Sequence, residues 1–463
     1  MVVGDVTTAV DVLVLGAGPG GYVAAIRAVQ CGHHVTLVAP GAAGGTCLNR
    51  GCIPLKALLS ASERYSQSQA SELAPFGIHV EATTFDWSTM QGWKEGVVAR
   101  LSNGVRQLLT GNRVEMVTGT GWFINEREVR VEGVHGSHRF KFDHCIIATG
   151  AVPATVAGLE YDGREILSPE QALALPQLPE RLAISGDDYI ALELATVFAR
   201  LGTHVTLYTP GEQVLASAEP ALLRLLQAGL RKQGIQVKSR FDPTTITERP
   251  LVLSAGVAPR VQDLHLEAAG VRLNEYGGIA VDSMLKTSTE RIYAVGDCTG
   301  AYTLTSPLTS PLASVAMKQG KVAAEVLSGQ RVQFAPLVIP RVVHTQPEFA
   351  SVGYTLEEAT QAGYKVKSAR FPLAANGRAL TLNADNGAAF VVASAEDEIL
   401  LGATLVGTRA GDLIGQVALA LEMGATLTDL SEILYAHPGL SETLLESAEG
   451  ALGHAIHMLN KNA

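Results

Sequence analysis

Two cysteines, Cys47 and Cys52, sit in the segment Gly44-Gly45-Thr46-Cys47-Leu48-Asn49-Arg50-Gly51-Cys52-Ile53-Pro54-Leu55-Lys56. Pro54 and the residues from Lys56 to Leu59 mark a helix start beside them. Cysteines flanking a helix start can carry a lowered thiolate pKa, which makes them both nucleophiles and good leaving groups. Their chemistry would be thiol–disulfide exchange. Zinc binding is the poorer reading, because no second Cys or His pair stands at zinc spacing, and no metal site is expected. A purely structural pair would more often lie among apolar residues than in Gly-Thr-Cys and Gly-Cys-Ile-Pro. Cys31, Cys145 and Cys298 occupy apolar or cofactor-adjacent contexts and read as packing residues. Near the other end, His437-Pro438-Gly439-Leu440-Ser441-Glu442 offers an imidazole suited to moving protons between thiols, with Glu442 to orient it and stabilise its charged form. Taken alone, a His-Pro pair is more often a loop feature.

The elements that must position these groups can be read from periodicity. Residues 10–15 form a β-branched apolar run, residues 22–31 carry helical spacing, and residues 35–38 read as a second buried strand. Between the first strand and the helix, Gly16-Ala17-Gly18-Pro19-Gly20-Gly21 supplies a dinucleotide-type turn. Its first glycine permits the tight turn, the second lets a pyrophosphate reach the backbone, and the third allows close helix–strand packing. A plain glycine turn is the bland alternative. One part is missing, since Val38 is followed by Ala39 and Pro40 where an acid for the ribose hydroxyls is normal. The adenosine end of a cofactor is therefore expected to be held loosely or by backbone groups.

A second strand–turn–helix–strand unit recurs at residues 182–185, 189–201 and 205–208, which points to two nucleotide-binding-type domains related by duplication. Short β-type runs occupy residues 119–150, and strand-and-turn character returns after Arg260. From about Phe334 strands mix with an amphipathic helix at residues 411–423. The tandem Ser-Pro repeat at residues 305–312 reads as a surface loop.

At 463 residues the chain fits several domains, and 47% hydrophobic with 17% charged residues suits a packed globular protein. A net charge of −10 disfavours a nucleic-acid surface. Five cysteines without a regular framework argue against a disulfide-stapled secreted fold. No signal-type leader or apolar stretch long enough to span a membrane is evident, so a cytoplasmic protein is expected.

The segment from Gly44 to Lys56 closely resembles the redox-disulfide motif of the FAD-dependent pyridine nucleotide–disulfide oxidoreductases, and the resemblance runs nearly end to end. It implies that Gly16, Gly18, Gly20 and Gly21 bind FAD, with Thr46 lying in the redox segment, Cys52 the flavin-side sulfur and Cys47 the sulfur that exchanges with substrate. Ala148-Thr149-Gly150 resembles the second FAD segment. Ala294-Val295-Gly296-Asp297 resembles the third, which would place Asp297 on the ribityl chain, although a simple turn residue is the alternative. Lys56 and Glu193 match an ion pair beside the flavin ring; either alone would read as a surface helix charge. His437 and Glu442 match the catalytic base motif. In the family that histidine completes the partner subunit's site, so a homodimer is implied. Within the family, Gly377-Arg378-Ala379 and the ending Ala451-Leu452-Gly453-His454-Ala455-Ile456-His457 resemble dihydrolipoamide dehydrogenases, and the lack of a C-terminal cysteine pair disfavours mercuric reductase.

The second nucleotide unit departs from that pattern. Its turn reads Gly186-Asp187-Asp188-Tyr189-Ile190-Ala191, which keeps only the first motif glycine and sets Asp188 where a pyrophosphate should meet the backbone. Two like charges at about 4 Å repel by roughly 1–4 kcal/mol at effective dielectrics from 80 to 20. The acid after the second strand is replaced by Thr209, a basic stretch becomes Gly256-Val257-Ala258-Pro259, and little chain separates Val237 from Leu251. Ser314 stands where lipoamide dehydrogenases usually have histidine.

The expectation is an α/β chain with two Rossmann-like domains and a C-terminal α+β dimerisation domain. An FAD domain would span residues 1–150 and be completed by 260–333. A degenerate NAD-type domain would span 151–259, and an interface domain 334–463. The function implied is FAD-dependent oxidation of dihydrolipoamide, free or carried on a lipoyl protein. Electrons would pass weakly to NAD or to another, unidentified acceptor. The competing readings are a flavin-bound structural subunit of a dehydrogenase complex and a reductase of another small disulfide. The joint presence of Cys47, Cys52, His437 and Glu442 weighs against the first.

Overall fold

The computed structural model describes residues 7–133, 136–215, 218–300 and 312–460. The Ser-Pro repeat, apart from Leu312, lies outside the described residues.

The first sheet is built on Thr7–Leu15, which pairs in parallel with Val35–Ala39 on one side and Gly136–Ile147 on the other. Val12, Leu13 and Val14 are fully buried, as the continuous apolar run of a strand covered on both faces requires. Glu115–Thr118 extends the sheet beyond Val35–Ala39. Thr120–Asn125 and Glu128–Gly133 add an antiparallel meander to Gly136–Ile147. Ile292–Ala294, distant in sequence, joins the same sheet in parallel with Gly136–Ile147. The chain thus leaves this sheet, builds another, and returns to complete the first.

The second sheet answers whether the shortened unit still folds as a Rossmann-type layer. Five parallel strands run in the order Gln236–Ser239, His204–Thr209, Arg181–Ser185, Leu251–Leu253 and Ile166–Leu167. The helix Tyr189–Arg200 is buried from Ala191 through Phe198, so its residues serve as core rather than as one face of an amphipath. Between Gln236–Ser239 and Leu251–Leu253 the chain makes only the single 3₁₀ turn Pro243–Thr245. The two crossings between the sheets run side by side, with Ala151–Pro153 paired antiparallel to Val257–Pro259.

The C-terminal part is a five-stranded antiparallel sheet, ordered Arg341–Val343, Glu348–Gly353, Leu400–Gly407, Ala388–Ser394 and Val366–Pro372. Helices Ala410–Glu422 and Glu442–Leu452 cover it with Ile414, Val417, Leu444 and Ala448 in a shared core. The whole is the α/β architecture expected, with a separate α+β layer at the end. Among the described residues no helix is long and apolar enough to cross a membrane.

The helix Pro19–Gln30 that follows the first glycine turn lies in backbone contact with the helix Ala313–Leu327. A Cβ at Gly320 would stand 2.4 Å from the Gly20 carbonyl oxygen and 3.1 Å from the Ala24 nitrogen. Gly320→Ala must therefore push two helices apart, an overpacking cost of about 1–3 kcal/mol. Urea denaturation followed by far-ultraviolet dichroism should show the midpoint falling, and an unchanged midpoint would refute this close packing.

Candidate active site

The two sequence motifs that carry chemistry prove to be one physical object. Gly44 donates its N–H to the Ala17 carbonyl at 2.8 Å, and Gly45 adopts φ 64°. A Cβ at Gly45 would meet the Gly18 Cα at 2.5 Å, so the cysteine segment sits backbone to backbone on the glycine turn. Asn49 fixes this docking by donating its side-chain amide to the Ala43 and Gly45 carbonyls at 3.1 and 3.0 Å. The third motif is seated the same way. A Cβ on Gly20 would come within 3.1 Å of Val295 Cγ2, and buried Gln319 accepts the Gly296 N–H at 2.8 Å.

Cys47 lies in the short helix Gly45–Asn49 and Cys52 opens the helix Cys52–Gln67. The helix thus begins at the second cysteine itself, two residues before Pro54. Arg50 and Gly51 both donate their N–H groups to the Thr46 carbonyl, at 2.9 and 2.8 Å, and this tight turn folds the two thiols into hydrogen-bonding contact. As free thiols they share one proton unequally. The hydrogen bond from Cys47, the Lys56 ammonium and a backbone N–H at the helix start hold Cys52 below the usual thiol range, against burial. Cys47 is pushed up, by its contact with Cys52 and by burial. The negative charge of the reduced pair therefore rests on Cys52.

Both sulfurs line a cleft of about 660 Å³ that runs from Ala39 and Pro40, past the glycine turn, to Tyr189. This volume is in the range of cofactor sites. The fit to a flavin dinucleotide can be tested on the cleft itself. At its middle, no side chain caps the start of the helix Pro19–Gln30, so its N–H groups are available to a pyrophosphate. Asp297 lines the cleft, its carboxylate takes no hydrogen bond from the described residues, and burial pushes its pKa up to about 6. An unpartnered acid of this kind suits a polyhydroxyl chain. Gly150, Thr46 and Thr149 also line the cleft, and the Thr149 hydroxyl donates to the Arg260 carbonyl at 2.7 Å. The residues fit the group.

Lys56 and Glu193 form an ion pair, and the ammonium lies 5.6 Å from the centroid of the Tyr189 ring. Glu193 is fully buried, and its other oxygen accepts the backbone N–H of His344 at 3.0 Å. One carboxylate thus touches the first unit through Lys56 and the C-terminal unit through His344, while standing on a helix of the second.

The second glycine turn behaves unlike the first. Asp188 is the N-cap of the helix Tyr189–Arg200 and accepts the Ala191 N–H and the Ser254 hydroxyl, each at 2.9 Å. Leu215 donates its N–H to the Asp187 carbonyl at 2.9 Å, which folds the loop after His204–Thr209 back onto the turn. Burial pushes the Asp188 carboxyl up to about 6, with Asp187 adding to it. The helix start that would receive an anion already holds a carboxylate of its own.

His437 Nδ1 and Glu442 Oε1 lie 2.9 Å apart, and the second Glu442 oxygen accepts the Gly439 N–H at 2.8 Å. The histidine side chain is 81% exposed and does not line the cysteine cleft. One chain brings Cys47, Cys52, Lys56, Glu193, Tyr189 and Asp297 together and leaves His437 and Glu442 outside. Sequence reasoning missed three contacts at this site. Arg50 pairs with Glu170 at 3.3 Å across the cleft wall, Ser254 holds Asp188, and the Tyr22 phenol lies near the Cys47 thiol. All three link segments far apart in the chain. No group of three or more His, Cys, Asp or Glu among the described residues is placed to hold a metal ion.

Comparison with known proteins agrees with this geometry. Residues 10–320 match the family model of the pyridine nucleotide-disulphide oxidoreductases, and residues 339–448 match the dimerisation domain of that family. The chain is 39% identical to the dihydrolipoyl dehydrogenase of Geobacillus stearothermophilus, over all of both chains. It is 40% identical to dihydrolipoyl dehydrogenase 2 of Haloarcula marismortui, over 99% of this chain and 100% of that one. In fold it resembles LpdA from Mycobacterium tuberculosis, with a TM-score of 0.87 and 24% identity over 96% of this chain and 99% of that one.

Two consequences can be measured. Lys56→Met removes a charge that favours the Cys52 thiolate, so alkylation of the dithiol-reduced protein by iodoacetamide should require a higher pH than in the parent; an identical profile would dismiss Lys56 as a determinant. Asp188→Asn keeps a capping oxygen without the buried charge. The raised folded pKa means the folded state holds this proton more tightly, so stability falls as pH rises from about 4 to about 6. The variant should be more stable than the parent by about 3 kcal/mol above pH 7 and equal to it at about pH 3 and below, as read by denaturant midpoints.

Proposed function

This chain belongs to the pyridine nucleotide-disulphide oxidoreductase family, and we propose that it oxidises dihydrolipoamide, free or on a lipoyl protein, to the disulfide and passes the electrons to an acceptor other than NAD. The chain would be organised as a flavin domain at residues 1–150 completed by 260–333, a second domain at 151–259, and an interface domain at 334–463.

The thiol half-reaction follows from the cysteine pair in its disulfide state. A substrate thiolate attacks Cys47 Sγ, the bond between Cys47 and Cys52 breaks, and Cys52 leaves as the thiolate that its helix start and Lys56 stabilise. His437 takes the proton of the second substrate thiol, which then attacks the substrate sulfur held on Cys47. Cys47 leaves and takes up that proton, and the substrate departs as its cyclic disulfide. Two electrons and one net proton now rest on the pair. FAD, when bound by the glycine turn, Gly150 and Asp297, supplies the two-electron relay between the cysteines and the final acceptor. Glu442 orients the histidine, and the Lys56–Glu193 pair fixes charge beside the cysteines. Because His437 stands exposed and outside its own chain's cleft, the base for one site comes from a second copy, and a homodimer is the working form.

The observation that carries the acceptor reading is the contrast between two helix starts. That of Pro19–Gln30 has no side-chain cap, whereas that of Tyr189–Arg200 is capped by Asp188, itself held by Ser254. A dinucleotide pyrophosphate at the second would have to displace one carboxylate and approach another.

The test is anaerobic. Dihydrolipoamide added to the FAD-loaded protein should produce the long-wavelength absorbance of a thiolate beside oxidised flavin, and NAD added afterwards should not restore the oxidised spectrum promptly. Prompt reoxidation by NAD would overturn the acceptor reading, and no reduction by the dithiol would overturn the thiol half-reaction. Replacing Asp187 and Asp188 together by glycine should speed reoxidation by NAD, about ten-fold or more if one repulsion of order 1–4 kcal/mol is relieved.

A further inference from the structure

Beside the His437–Glu442 pair stands a second pair of the same kind, which the proposed reaction does not use. His457 Nδ1 and Glu446 Oε1 lie 2.6 Å apart. Glu446 stands one turn after Glu442 on the helix Glu442–Leu452, so both carboxylates lie along one face of it. One histidine arrives from the loop before this helix and the other from the segment after it.

The two carboxylates are not equivalent. Glu446 is 7% exposed, and its second oxygen is buried with no hydrogen-bond partner. A carboxylate this enclosed, with one oxygen unanswered, requires compensation from the one cation it touches among the described residues. His457 is that cation. Its pKa is raised by the hydrogen bond and charge of Glu446, with Glu449 and Glu442 adding to it. The charge reaches the neighbouring pair, since His457 helps to hold the Glu442 carboxyl below its ordinary range, after the Gly439 N–H and His437 and against burial. On the strand Val366–Pro372, packed against this helix, Lys367 pairs with Glu398 at 2.8 Å, and His454 acts on Glu398 as well.

We propose that His457 is a positioning residue for the proton-transfer step: anchored by Glu446, it sets a positive charge beside Glu442 and thereby lowers the proton affinity of His437. The row His437–Glu442–His457–Glu446 alternates in sign when both imidazoles are protonated. Glu442 answers two cations rather than one, so its attraction for the His437 proton is diluted, and the His457 charge opposes a second imidazolium. The base is thus kept neutral, and ready to accept a proton, at lower pH than Glu442 alone would allow. This inference rests on the reading of His437 as the base, so its test includes a measurement that does not.

The experiment uses FAD-loaded protein with three substitutions, His457→Gln, His457→Lys and Glu446→Gln. The titration of the His437 ring is followed through ¹³C-labelled histidine Cε1 resonances, assigned by loss of one signal in His437→Gln. In parallel, the rate of flavin reduction by dihydrolipoamide is recorded against pH. His457→Gln should move the His437 titration upward by about half a pH unit, the effect of one charge at close range in surroundings of high effective dielectric. The acid limb of the rate profile should move with it, while the rate on the alkaline plateau stays as in the parent. Glu446→Gln removes an anion from the row together with the anchor of His457, and the two effects oppose each other, so both should move less than in His457→Gln. His457→Lys keeps the charge and should restore the parental values. A plateau that falls without a shift, or equal profiles for the Gln and Lys variants, would assign His457 a merely structural role and overturn the proposal. If the parent is not reduced by the dithiol at all, the functional reading fails, yet the resonance titration still decides whether His457 sets the His437 proton affinity.

Discussion

Much of this molecule depends on one buried carboxylate. Glu193 is fully enclosed in the middle of a helix whose neighbours from Ala191 to Phe198 are buried as well. A charge in such a place costs several kcal/mol unless it is paired and its remaining lone pairs are used. Lys56 meets one oxygen and the His344 N–H the other. These partners come from the two flanking units, so the requirement to satisfy one anion ties three separately built sheets into a fixed relation. The cysteine helix, the helix Tyr189–Arg200 and the strand Arg341–Val343 cannot slide against one another without exposing that charge. Neither Lys56 nor Tyr189 would be held beside the cysteines if the junction loosened. An ion pair of this sort is weak evidence for net stability but strong evidence for a specified geometry.

The same helix divides the constraints on the second unit between its body and its first turn. Its body carries Glu193 and must remain, while its first turn faces the cleft and is free to change. Asp188 takes the place of an external anion: it answers the helix dipole and the Ala191 N–H from within the chain. The domain therefore retains five parallel strands and its packed helix although the pyrophosphate position is filled. Tyr189, the next residue, still lines the cleft. The second unit keeps the wall of the cysteine site and carries its own carboxylate at the start of the helix Tyr189–Arg200.

How far the sequence alone could reach follows from the range of each interaction. The glycine turn, the cysteine segment and the alternation of strands and helices are local, and each could be read from spacing and residue type. The return of Ile292–Ala294 to the first sheet was legible only through its motif, because no short-range signal assigns a three-residue strand to a sheet begun nearly three hundred positions earlier. The seating of Gly45 on Gly18 was invisible in the same sense, since both glycines read as turn residues and nothing in either segment names the other. Asp188 could be recognised as an obstacle, but its anchoring was not legible, because the Ser254 hydroxyl that holds it comes from just beyond the strand Leu251–Leu253. For Thr149 the structure adds a local detail: the residue lines the cleft, as its segment's resemblance implies, and its hydroxyl is donated to the Arg260 carbonyl.

The position of His437 carries the last step. A base that serves a disulfide must reach the sulfur that exchanges with substrate, yet within one chain this imidazole projects outward from the C-terminal sheet while Cys47 faces a cleft between the first two units. Bringing them together inside the chain would break the packing that the Glu193 junction enforces. Exposed Leu434 stands three residues before His437, and exposed Ile456 immediately before His457. An apolar rim around an exposed acid–base pair is costly in isolation and economical at an interface between copies. A rigid junction within the subunit and an incomplete site at its edge are therefore two sides of one arrangement. On the proposed function, the first fixes where the electrons are taken up and the second makes proton transfer depend on a second subunit.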